Sequence, residues 1–305
     1  MKRSKFRDFL IVVLIIIILI CLGVLGHRFY QYYQGTSIYN EAENLVNLPD
    51  FSDMQAGNEF ASEDRLEDSD SSKTNIESST TDEASESTLD DASGSSESAA
   101  APNPYTEALR NMDFAKLREV NPDVLGWIVM PNTSISYPMV QAADNDFYLY
   151  RTWNLSNSIV GSIFLDANCA PDFHDFNTLI YGHNMNNGSM FGALRKFRTA
   201  DYWNSHSSFM ITTEEGVYTY KIFSAFEAEL TDPVFMVRIN REDEKQALID
   251  CAVSKSTIAT GIVPNVEDKI VTLSTCTGRG HSTRWIVLGV LDSFEPTDIE
   301  STLPV

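Results

Sequence analysis

The N-terminal region of the chain is dominated by one apolar stretch. It runs from Phe9 to Gly26 as FLIVVLIIIILICLGVLG, and at helical rise it is long enough to cross most of the hydrocarbon core of a membrane. A cleavable signal peptide is the alternative, because several basic residues precede the stretch. The stretch is longer than a usual signal-peptide core, however, and no clear cleavage site of small residues follows it. The pattern therefore predicts a single transmembrane anchor over residues 9–26.

The basic residues around this stretch predict its orientation. Four of them lie within the first seven positions, whereas only His27 and Arg28 follow the stretch closely. By the positive-inside rule, the N-terminus then lies in the cytoplasm. We therefore predict a cytoplasmic tail over residues 1–8 and a juxtamembrane segment over residues 27–49. Everything beyond residue 30 is predicted to be extracytoplasmic, held at the cell membrane.

A polar, acidic segment separates the N-terminal region from the rest of the chain. Over residues 50–101 the composition shifts to Ser, Thr, Asp, Glu and Ala, and aromatic residues almost vanish. Such a segment buries too little apolar surface to offset the entropy lost on ordering. We therefore predict a disordered, self-repelling spacer. It is interpreted either as a stalk that lifts a domain away from the membrane or as a linker without that role.

The remaining part, predicted as one domain over residues 102–305, consists mainly of short β-rich runs separated by turn residues. Several runs alternate between apolar and polar residues, and others are wholly apolar, which is typical of strands buried on one or both faces. Eight such runs favour a closed β-barrel or a β-sandwich. The runs are GWIVM (126–130), SISYPMV (134–140), SIVGSIFLD (158–166), NTLIYG (177–182), SSFMITT (207–213), GVYTYKIFSAFEAEL (216–230), KIVTLST (269–275) and RWIVLGVL (284–291).

Helical patterns precede and interrupt these runs. Asn103 and Pro104 provide an N-cap followed by proline at the first helical position. The apolar spacing beyond them fits one helix, or two short helices broken near Asp113. Two further helical patterns cover residues 189–197 and 242–254. The sequence thus predicts a mainly β fold with an N-terminal helix or helix pair and one long helix inserted before the last two strands.

Charge and cysteine content narrow the functional classes. The formal net charge is −21, of which residues 51–100 contribute −12, and no stretch clusters the Lys and Arg that nucleic-acid binding requires. Cys21 lies in the apolar stretch, and Cys169, Cys251 and Cys276 form an odd set at irregular spacing. This pattern predicts neither a disulfide framework nor a zinc site. We expect no metal, no cofactor and no nucleic-acid partner.

Cys276 ends a predicted strand and is followed by the glycine-containing loop TGRGHST (277–283), after which Arg284 opens the next strand. If the two strands are antiparallel neighbours, Cys276 and Arg284 lie roughly opposite each other. A fixed cation lowers the pKa of a nearby thiol, and a guanidinium also donates hydrogen bonds to an oxyanion. The alternative is that Cys276 is a small apolar residue of the core.

A cysteine nucleophile needs a partner that moves protons, and the chain has five histidines. His27 lies beside the apolar stretch, and the patterns around His174 and His206 predict surface positions. His281 lies in the loop after Cys276 and stays a candidate. His183 ends a β-run and opens a glycine- and asparagine-rich loop, a setting in which catalytic groups are common. The alternative for His183 is a turn histidine bonded to the backbone.

These segments resemble those of the sortases. TLSTC (272–276) followed by Arg284 is similar to the TLxTC…R signature of that family, and the histidine segment resembles that of the class B sortases in particular. The histidine, cysteine and arginine segments occur in the family order, and the resemblance covers about residues 105–292. The class B segments are YGHNMNNGSMFGALRKF (181–197), DVLGWIVMPNTSISYPMVQAADNDFYL (123–149) and GSIFLD (161–166).

The resemblance implies an eight-stranded sortase β-barrel and a membrane-tethered cysteine transpeptidase of a Gram-positive cell. Such an enzyme cleaves a C-terminal sorting signal, NPxTx-like in class B, after its threonine. It then transfers the surface protein to an amine of the cell-wall peptidoglycan. By the same resemblance Cys276 is the nucleophile, His183 the proton donor and acceptor, and Arg284 the group that holds the oxyanion or orients the substrate.

Neighbouring residues complete the predicted site. Ser274 and Thr275 precede Cys276, Tyr181 and Asn184 lie within two residues of His183, and these four are candidates for binding the substrate. Three alternative functions stay open at this point. The domain could polymerise pilins, it could act as a cysteine protease, or it could be an inactive module that binds the cell wall.

Overall fold

The barrel that forms the body of the protein is seen in a computed structural model, which describes residues 2–46, 48, 104–276 and 282–297. The predicted acidic spacer, residues 50–101, lies outside the described residues. The strands are β1 (Val124–Val129), β2 (Ser136–Val140), β3 (Ile163–Leu165), β4 (Asn177–Tyr181), β5 (Ser208–Thr212), β6 (Gly216–Glu229), β7 (Ile270–Cys276) and β8 (Thr283–Pro296). They close into a barrel in the order β1-β2-β3-β4-β7-β8-β6-β5. The predicted fold class is confirmed, and the barrel rather than the sandwich is the correct alternative.

Two parallel pairings place distant parts of the sequence side by side. β2 pairs with β3, and β4 pairs with β7 over their whole common length, from Asn177 beside Ile270 to Tyr181 beside Ser274. The other neighbours in the barrel are antiparallel. Because β4 and β7 run in the same direction, both end at the same rim of the barrel. The residues that follow them in sequence are therefore neighbours in space.

A buried amide fixes this parallel pair to the loop that lies behind it. The Asn177 side chain donates to the carbonyl oxygens of Val234 and Met236, at 3.1 and 2.8 Å, and accepts a hydrogen bond from the Thr272 hydroxyl at 2.8 Å. Asn177 and Thr272 are fully buried. Each of these polar groups would be costly to bury alone, so the network holds β4, β7 and residues 233–236 in one arrangement.

The α-helices around the barrel lie where the sequence predicts them, apart from one unpredicted short helix at residues 200–205. Two short helices, α2 (Pro104–Arg110) and α3 (Phe114–Val120), precede the barrel, and the Asp113 side chain caps α3 by accepting from the Ala115 amide. Residues Phe191–Arg198 form a 3₁₀ helix followed by α4 (Ala200–Ser205). The long inserted helix is α5 (Glu242–Lys255), and its apolar face packs on β6. Its leucine and isoleucine, Leu248 and Ile249, lie in a second apolar cluster outside the barrel.

The first helix, α1 (Lys2–Leu45), is longer than the predicted anchor, because the helix continues through most of the segment predicted as juxtamembrane. By length and composition it is able to cross a membrane. Its last turns instead contact the barrel, and Tyr39, Ala42 and Val46 are buried there. Since α1 contacts β2 and α2 contacts β6, the segment between these helices connects two points on one body. The distance between α1 and the barrel is therefore set by the contact of α1 with β2, and not by the length of the connecting segment.

Two predicted strands have different extents in the structure. The run at residues 158–166 contributes only Ile163–Leu165 to the barrel, because Gly161 adopts a left-handed conformation (φ 61°) that interrupts extended backbone. The last strand continues beyond residue 291 to Pro296, although its final residues do not continue the apolar run. These residues pair with the first half of the long strand β6. The pairing partner, and not local apolarity, extends the strand.

Candidate active site

The end of the β7–β8 hairpin carries the first pair of predicted site residues. The two strands are antiparallel, and Cys276, the last residue of β7, is the direct partner of Arg284 in β8. Cys276 and Arg284 thus lie opposite each other, as the sequence predicts. The Arg284 guanidinium donates from Nη1 to the Thr283 carbonyl oxygen at 3.0 Å. The side chain of Cys276 and residues 277–281, including His281, lie outside the described part of the chain.

His183 reaches the same rim from β4. It lies two residues beyond the end of β4, and the intervening Gly182 donates its amide to the Ser274 carbonyl oxygen of β7 at 3.1 Å. This bond continues the parallel pairing past the last residue of the strand. The chain is thus held against β7 up to the residue before His183, which places the histidine beside the last residues of β7.

The orientation of the His183 ring is set by one strong hydrogen bond. Its Nε2 lies 2.6 Å from the Leu149 carbonyl oxygen. Because a carbonyl oxygen only accepts, Nε2 carries a proton, and in the neutral ring the lone pair is then on Nδ1. The adjacent Cδ2 atom faces Gly161, on which a Cβ would lie only 2.7 Å from it. With the Cδ2–Nε2 edge held in this way, Nδ1 on the opposite edge is the ring nitrogen that the Leu149 contact leaves available.

A cavity of about 230 Å³ joins these groups. His183 and Arg284 both line it, together with Ser274 and Thr275 from the end of β7. Apolar side chains form much of the remaining wall, which favours a partly dehydrated site in which charge interactions are strong. The other lining residues are Asn145, Leu149, Phe164, Tyr181, Gly182, Leu230 and Phe235.

Two of the predicted substrate-binding residues line this cavity and carry buried hydroxyl groups. Ser274 and Thr275 are almost fully buried, and neither hydroxyl has a hydrogen-bond partner among the described residues. Buried hydroxyls are normally paired, since burying an unpaired polar group is costly. Because consecutive residues of a strand point to opposite faces of the sheet, the two hydroxyls do not face the cavity together. A substrate-binding role for these residues stays a prediction.

Tyr181 and Asn184 have different settings. Tyr181 lines the cavity, and its hydroxyl donates to an Asp166 carboxylate oxygen at 3.1 Å. Burial, with a further contribution from Asp166, raises the pKa of Tyr181 above its ordinary range, so the phenol stays neutral. Asn184 forms an isolated bridge with Met190 and is not among the described residues that line the cavity. The structure thus brings together His183, Arg284, Ser274, Thr275 and Tyr181, but not Asn184.

The other described histidines lie apart from this cavity. His174 is largely exposed and lies 3.3 Å from the Asp172 carboxylate. His206 stacks on Tyr202 with ring centroids 4.0 Å apart, and its Nδ1 bonds to the Tyr202 carbonyl oxygen. Neither ring lines the cavity that holds His183. Among the histidines whose surroundings the structure describes, His183 is the one beside Arg284.

Sequence reasoning did not identify the opposite wall of the site. Leu149, Asn145 and Gly161 lie in the segment between β2 and β3, and Leu230 and Phe235 follow β6. Their contribution depends on long-range packing that leaves no periodic signal. The only local indication is the glycine at position 161, which the run of β-forming residues around it does not require.

The comparisons with known proteins agree with this geometry. Residues 128–292 match the model of the sortase domain family. Sortase B of Listeria monocytogenes is 32% identical over 164 residues, which cover 54% of this chain and 67% of the relative. The Staphylococcus aureus sortase B–substrate complex is 27% identical with a TM-score of 0.56, covering 59% of this chain and 84% of that one. A sortase B complexed with triglycine gives the same identity and TM-score, over 59% and 85% of the two chains.

The barrel, with a cysteine at the end of one strand, an arginine opposite it and a histidine on the adjacent rim, defines a cysteine transpeptidase. This chain belongs to the sortase family. Within that family the relatives described above, by sequence and by structure, are class B sortases, and this is the class to which it belongs.

Proposed function

We propose that this protein is a membrane-anchored class B sortase that cleaves a C-terminal sorting signal after threonine and joins the protein to a peptidoglycan amine. In this proposal Cys276 is the nucleophile, His183 the proton donor and acceptor, and Arg284 the group that binds the oxyanion. The observation that carries the proposal is that His183, Arg284 and the last residues of β7 meet at one cavity. His183 follows β4, which lies far in sequence from the β7–β8 hairpin, so the fold and not local sequence brings the histidine to the hairpin.

In the first step the Cys276 thiolate attacks the carbonyl carbon of the signal threonine. The C–S bond forms, and the carbonyl oxygen takes the negative charge, which the Arg284 guanidinium stabilises by hydrogen bonding. The C–N bond then breaks, and the leaving amine takes a proton from Nδ1 of the His183 imidazolium. The products are a thioacyl enzyme, a released C-terminal peptide and neutral His183.

In the second step an amine replaces the thiol. Nδ1 of neutral His183 accepts a proton as the amine attacks the thioacyl carbon, and the departing sulfur leaves as the thiolate. The cysteine thiolate and the histidine imidazolium are thereby restored together. The apolar part of the cavity wall, which includes Phe164, Leu230 and Phe235, limits the access of water and so favours the amine over hydrolysis.

The partners proposed for this site are surface proteins with an NPxTx-like signal and an amine of the cell wall. The related S. aureus enzyme has been solved with a substrate, and a sortase B has been solved with triglycine. The shared family and the cavity that His183 and Arg284 line support a peptide substrate here. The tripeptide ligand of the relative supports an amine acceptor of the same general kind.

The proposed location follows from α1. This helix is long and apolar enough to cross a membrane, and basic residues precede its apolar stretch. We propose that the N-terminus is cytoplasmic and that the barrel lies outside the cell. A surface protein that is anchored by its own apolar tail then presents its signal on the same side of the membrane as the cavity.

The central test combines the purified full-length chain with NPxTx-like and LPxTG-like peptides. We expect a covalent adduct, mapped by mass spectrometry to Cys276, with the NPxTx-like peptide. Adding an amine such as triglycine should convert the adduct to a transpeptidation product. A peptide in which alanine replaces the signal threonine serves as the control. If no peptide acylates Cys276, the proposal is wrong, and if turnover is equally fast without an amine, the enzyme is a protease.

The contrasting surroundings of the cysteines give a second prediction. Burial raises the pKa of the Cys169 thiol to about 12 and also raises the pKa of Cys251. A thiolate forms only as the pH approaches the pKa, so both groups stay protonated near neutral pH. Cys276, opposite a fixed cation, should ionise at lower pH. Iodoacetamide at pH 7 should therefore alkylate Cys276 at least about tenfold faster than Cys169.

Peptide mapping by mass spectrometry measures this selectivity residue by residue. Denatured protein is the control, because unfolding should allow Cys169, Cys251 and Cys276 to react at similar rates. Equal labelling of Cys169 and Cys276 in the folded protein would contradict the proposed activation of Cys276.

A further inference from the structure

The ring of His183 is held by a loop whose other face contacts α1. This loop, residues 147–162, is here named the support loop. It provides the Leu149 carbonyl oxygen that accepts from His183 Nε2, and it provides Gly161, which lies against the same edge of the ring. The two contacts are coupled, because a Cβ on Gly161 would also lie 2.6 Å from the Leu149 oxygen. Only a residue without a side chain permits this close packing.

The support loop is closed on itself by hydrogen bonds between its two ends. The Ser162 amide donates to the Tyr148 carbonyl oxygen at 3.0 Å, and the Ser158 amide donates to the Tyr150 carbonyl oxygen at 3.0 Å. The Ser162 hydroxyl also donates to the Arg151 carbonyl oxygen at 2.7 Å. Leu149 and Gly161 are therefore parts of one unit. A shift of the segment that contains Gly161 therefore also displaces the segment that contains Leu149.

Three contacts join α1 to this loop on the side away from the histidine. The Tyr39 hydroxyl donates to the Gly161 carbonyl oxygen at 2.5 Å, and Trp153 Nε1 donates to the Ile38 carbonyl oxygen at 3.2 Å. Gly35 packs so closely on Val160 that a Cβ at this position would lie 2.5 Å from a Val160 methyl group. Tyr39, Trp153 and Val160 are almost fully buried. The contact surface is therefore a closely packed one.

We propose that the end of α1, residues 35–45, positions the catalytic histidine through the support loop, with Tyr39 and Gly161 as positioning residues. The proposal rests on the role proposed above for His183. The Gly161 peptide unit carries the connection, since its carbonyl oxygen accepts from Tyr39 while its Cα lies against the imidazole. The active arrangement of the domain then includes the helix that also carries the apolar stretch. The same helix would serve as anchor and as part of the site.

The chemistry of Tyr39 suits a permanent contact. Its ring also packs edge-on against Tyr137 of β2, with centroids 5.1 Å apart, which fixes the direction of the hydroxyl. Burial raises the pKa of Tyr39 above its ordinary range, so the hydroxyl keeps its proton and donates throughout the working pH range. The contact is thus not expected to switch with pH.

The test uses the full-length chain in detergent micelles and two pairs of matched variants. Gly161→Ala places a methyl group against His183 and Leu149. Gly261→Ala is its control: both glycines have a left-handed backbone (φ 61° at Gly161 and 73° at Gly261), which alanine adopts at a similar cost, but a Cβ on Gly261 has no atom within 4 Å. Gly35→Leu forces α1 from Val160, whereas Gly26→Leu changes the same helix where nothing lies within 4 Å. Tyr39→Phe removes only the hydroxyl donor.

The expected results separate positioning from folding. Gly161→Ala should lower kcat about 100-fold with KM little changed, and Tyr39→Phe should lower kcat about fivefold. Gly35→Leu should also lower kcat, and the two control variants should match the wild type. NMR of the His183 imidazole provides a readout besides activity, and its signals should shift in the three test variants but not in the controls.

Two outcomes would overturn the proposal for different reasons. If His183→Ala is inactive while Tyr39→Phe and Gly35→Leu keep wild-type kcat and imidazole signals, the positioning role is wrong but the proposed function stands. If His183→Ala keeps full activity, the assignment of the histidine fails, and the positioning role fails with it. Should Gly161→Ala not fold, Tyr39→Phe and Gly35→Leu still decide the question.

Discussion

Cys276→Ala is expected to lower the rate of acyl transfer by about 10⁴-fold or more and to abolish the thioacyl adduct. The loss should be this large because the nucleophile, the base and the oxyanion group act as one unit, so that the remaining groups have nothing to activate once the sulfur is gone. Rates are measured by following peptide cleavage and product formation with triglycine. Binding of the peptide should change little, since the thiol contributes a small part of the contact surface.

Two further variants make this result specific to the thiolate. Cys276→Ser keeps nearly the same shape, but a hydroxyl does not ionise near neutral pH, so we expect it to be almost as inactive as alanine. Cys251→Ala, on α5 and away from the cavity, is the matched control and should keep wild-type activity. If Cys276→Ala retained turnover, or if Cys251→Ala abolished it, the nucleophile would have been assigned to the wrong cysteine.

The barrel was predictable because each strand corresponds to a β-rich run with alternating or continuous apolar residues, bounded by turn residues. Each of the eight β-rich runs contributes a strand, and the two longest, β6 and β8, lie beside each other in the barrel. The ends of strands were less predictable. Residues 292–296 form no apolar run yet extend β8, because β6 offers them a pairing partner. Gly161 interrupts the third run, because a left-handed backbone at that point follows from packing and not from local propensity.

The predicted site residues were found through motifs, whereas their surroundings were not. The strand end at Cys276 and the strand start at Arg284 could be read from the sequence because a hairpin is a local structure. The wall formed by Leu149, Leu230 and Phe235 comes from segments far apart in sequence. The close approach of Gly161 to His183 is likewise a tertiary contact, which no periodic pattern encodes. Proximity in sequence is also not sufficient, since His183 lines the cavity whereas the next residue, Asn184, does not.

The contact between α1 and the barrel is the largest departure from what the sequence suggested. Composition marks residues 9–26 as apolar and residues 50–101 as acidic, but nothing in the intervening segment predicts that Tyr39 and Ala42 are buried. Only the structure shows that the helix continues and that Gly35 allows it to approach Val160. A boundary between anchor and domain drawn from composition alone therefore divides a unit that packs together.

His183→Ala is expected to lower kcat/KM by about 10³-fold with an ordinary peptide. The amine that leaves the threonine carbonyl needs a proton, and Nδ1 of His183 is the proposed source, because Nε2 is engaged with the Leu149 oxygen. His281→Ala is the control, since His281 is the other histidine candidate predicted from the sequence. Steady-state rates of the two variants at pH 7 provide the comparison, and wild-type activity in His183→Ala with loss in His281→Ala would reverse the assignment.

The leaving group allows a sharper version of this experiment. A depsipeptide, in which an ester replaces the scissile amide, releases an alcohol that needs less protonation than an amine, so general acid catalysis matters less. If His183 donates the proton, the defect of His183→Ala in single-turnover acylation should shrink at least about tenfold with the ester. A histidine that only supports the fold would give the same defect with both substrates. Equal defects would therefore contradict the proton-transfer role while leaving Cys276 as the nucleophile.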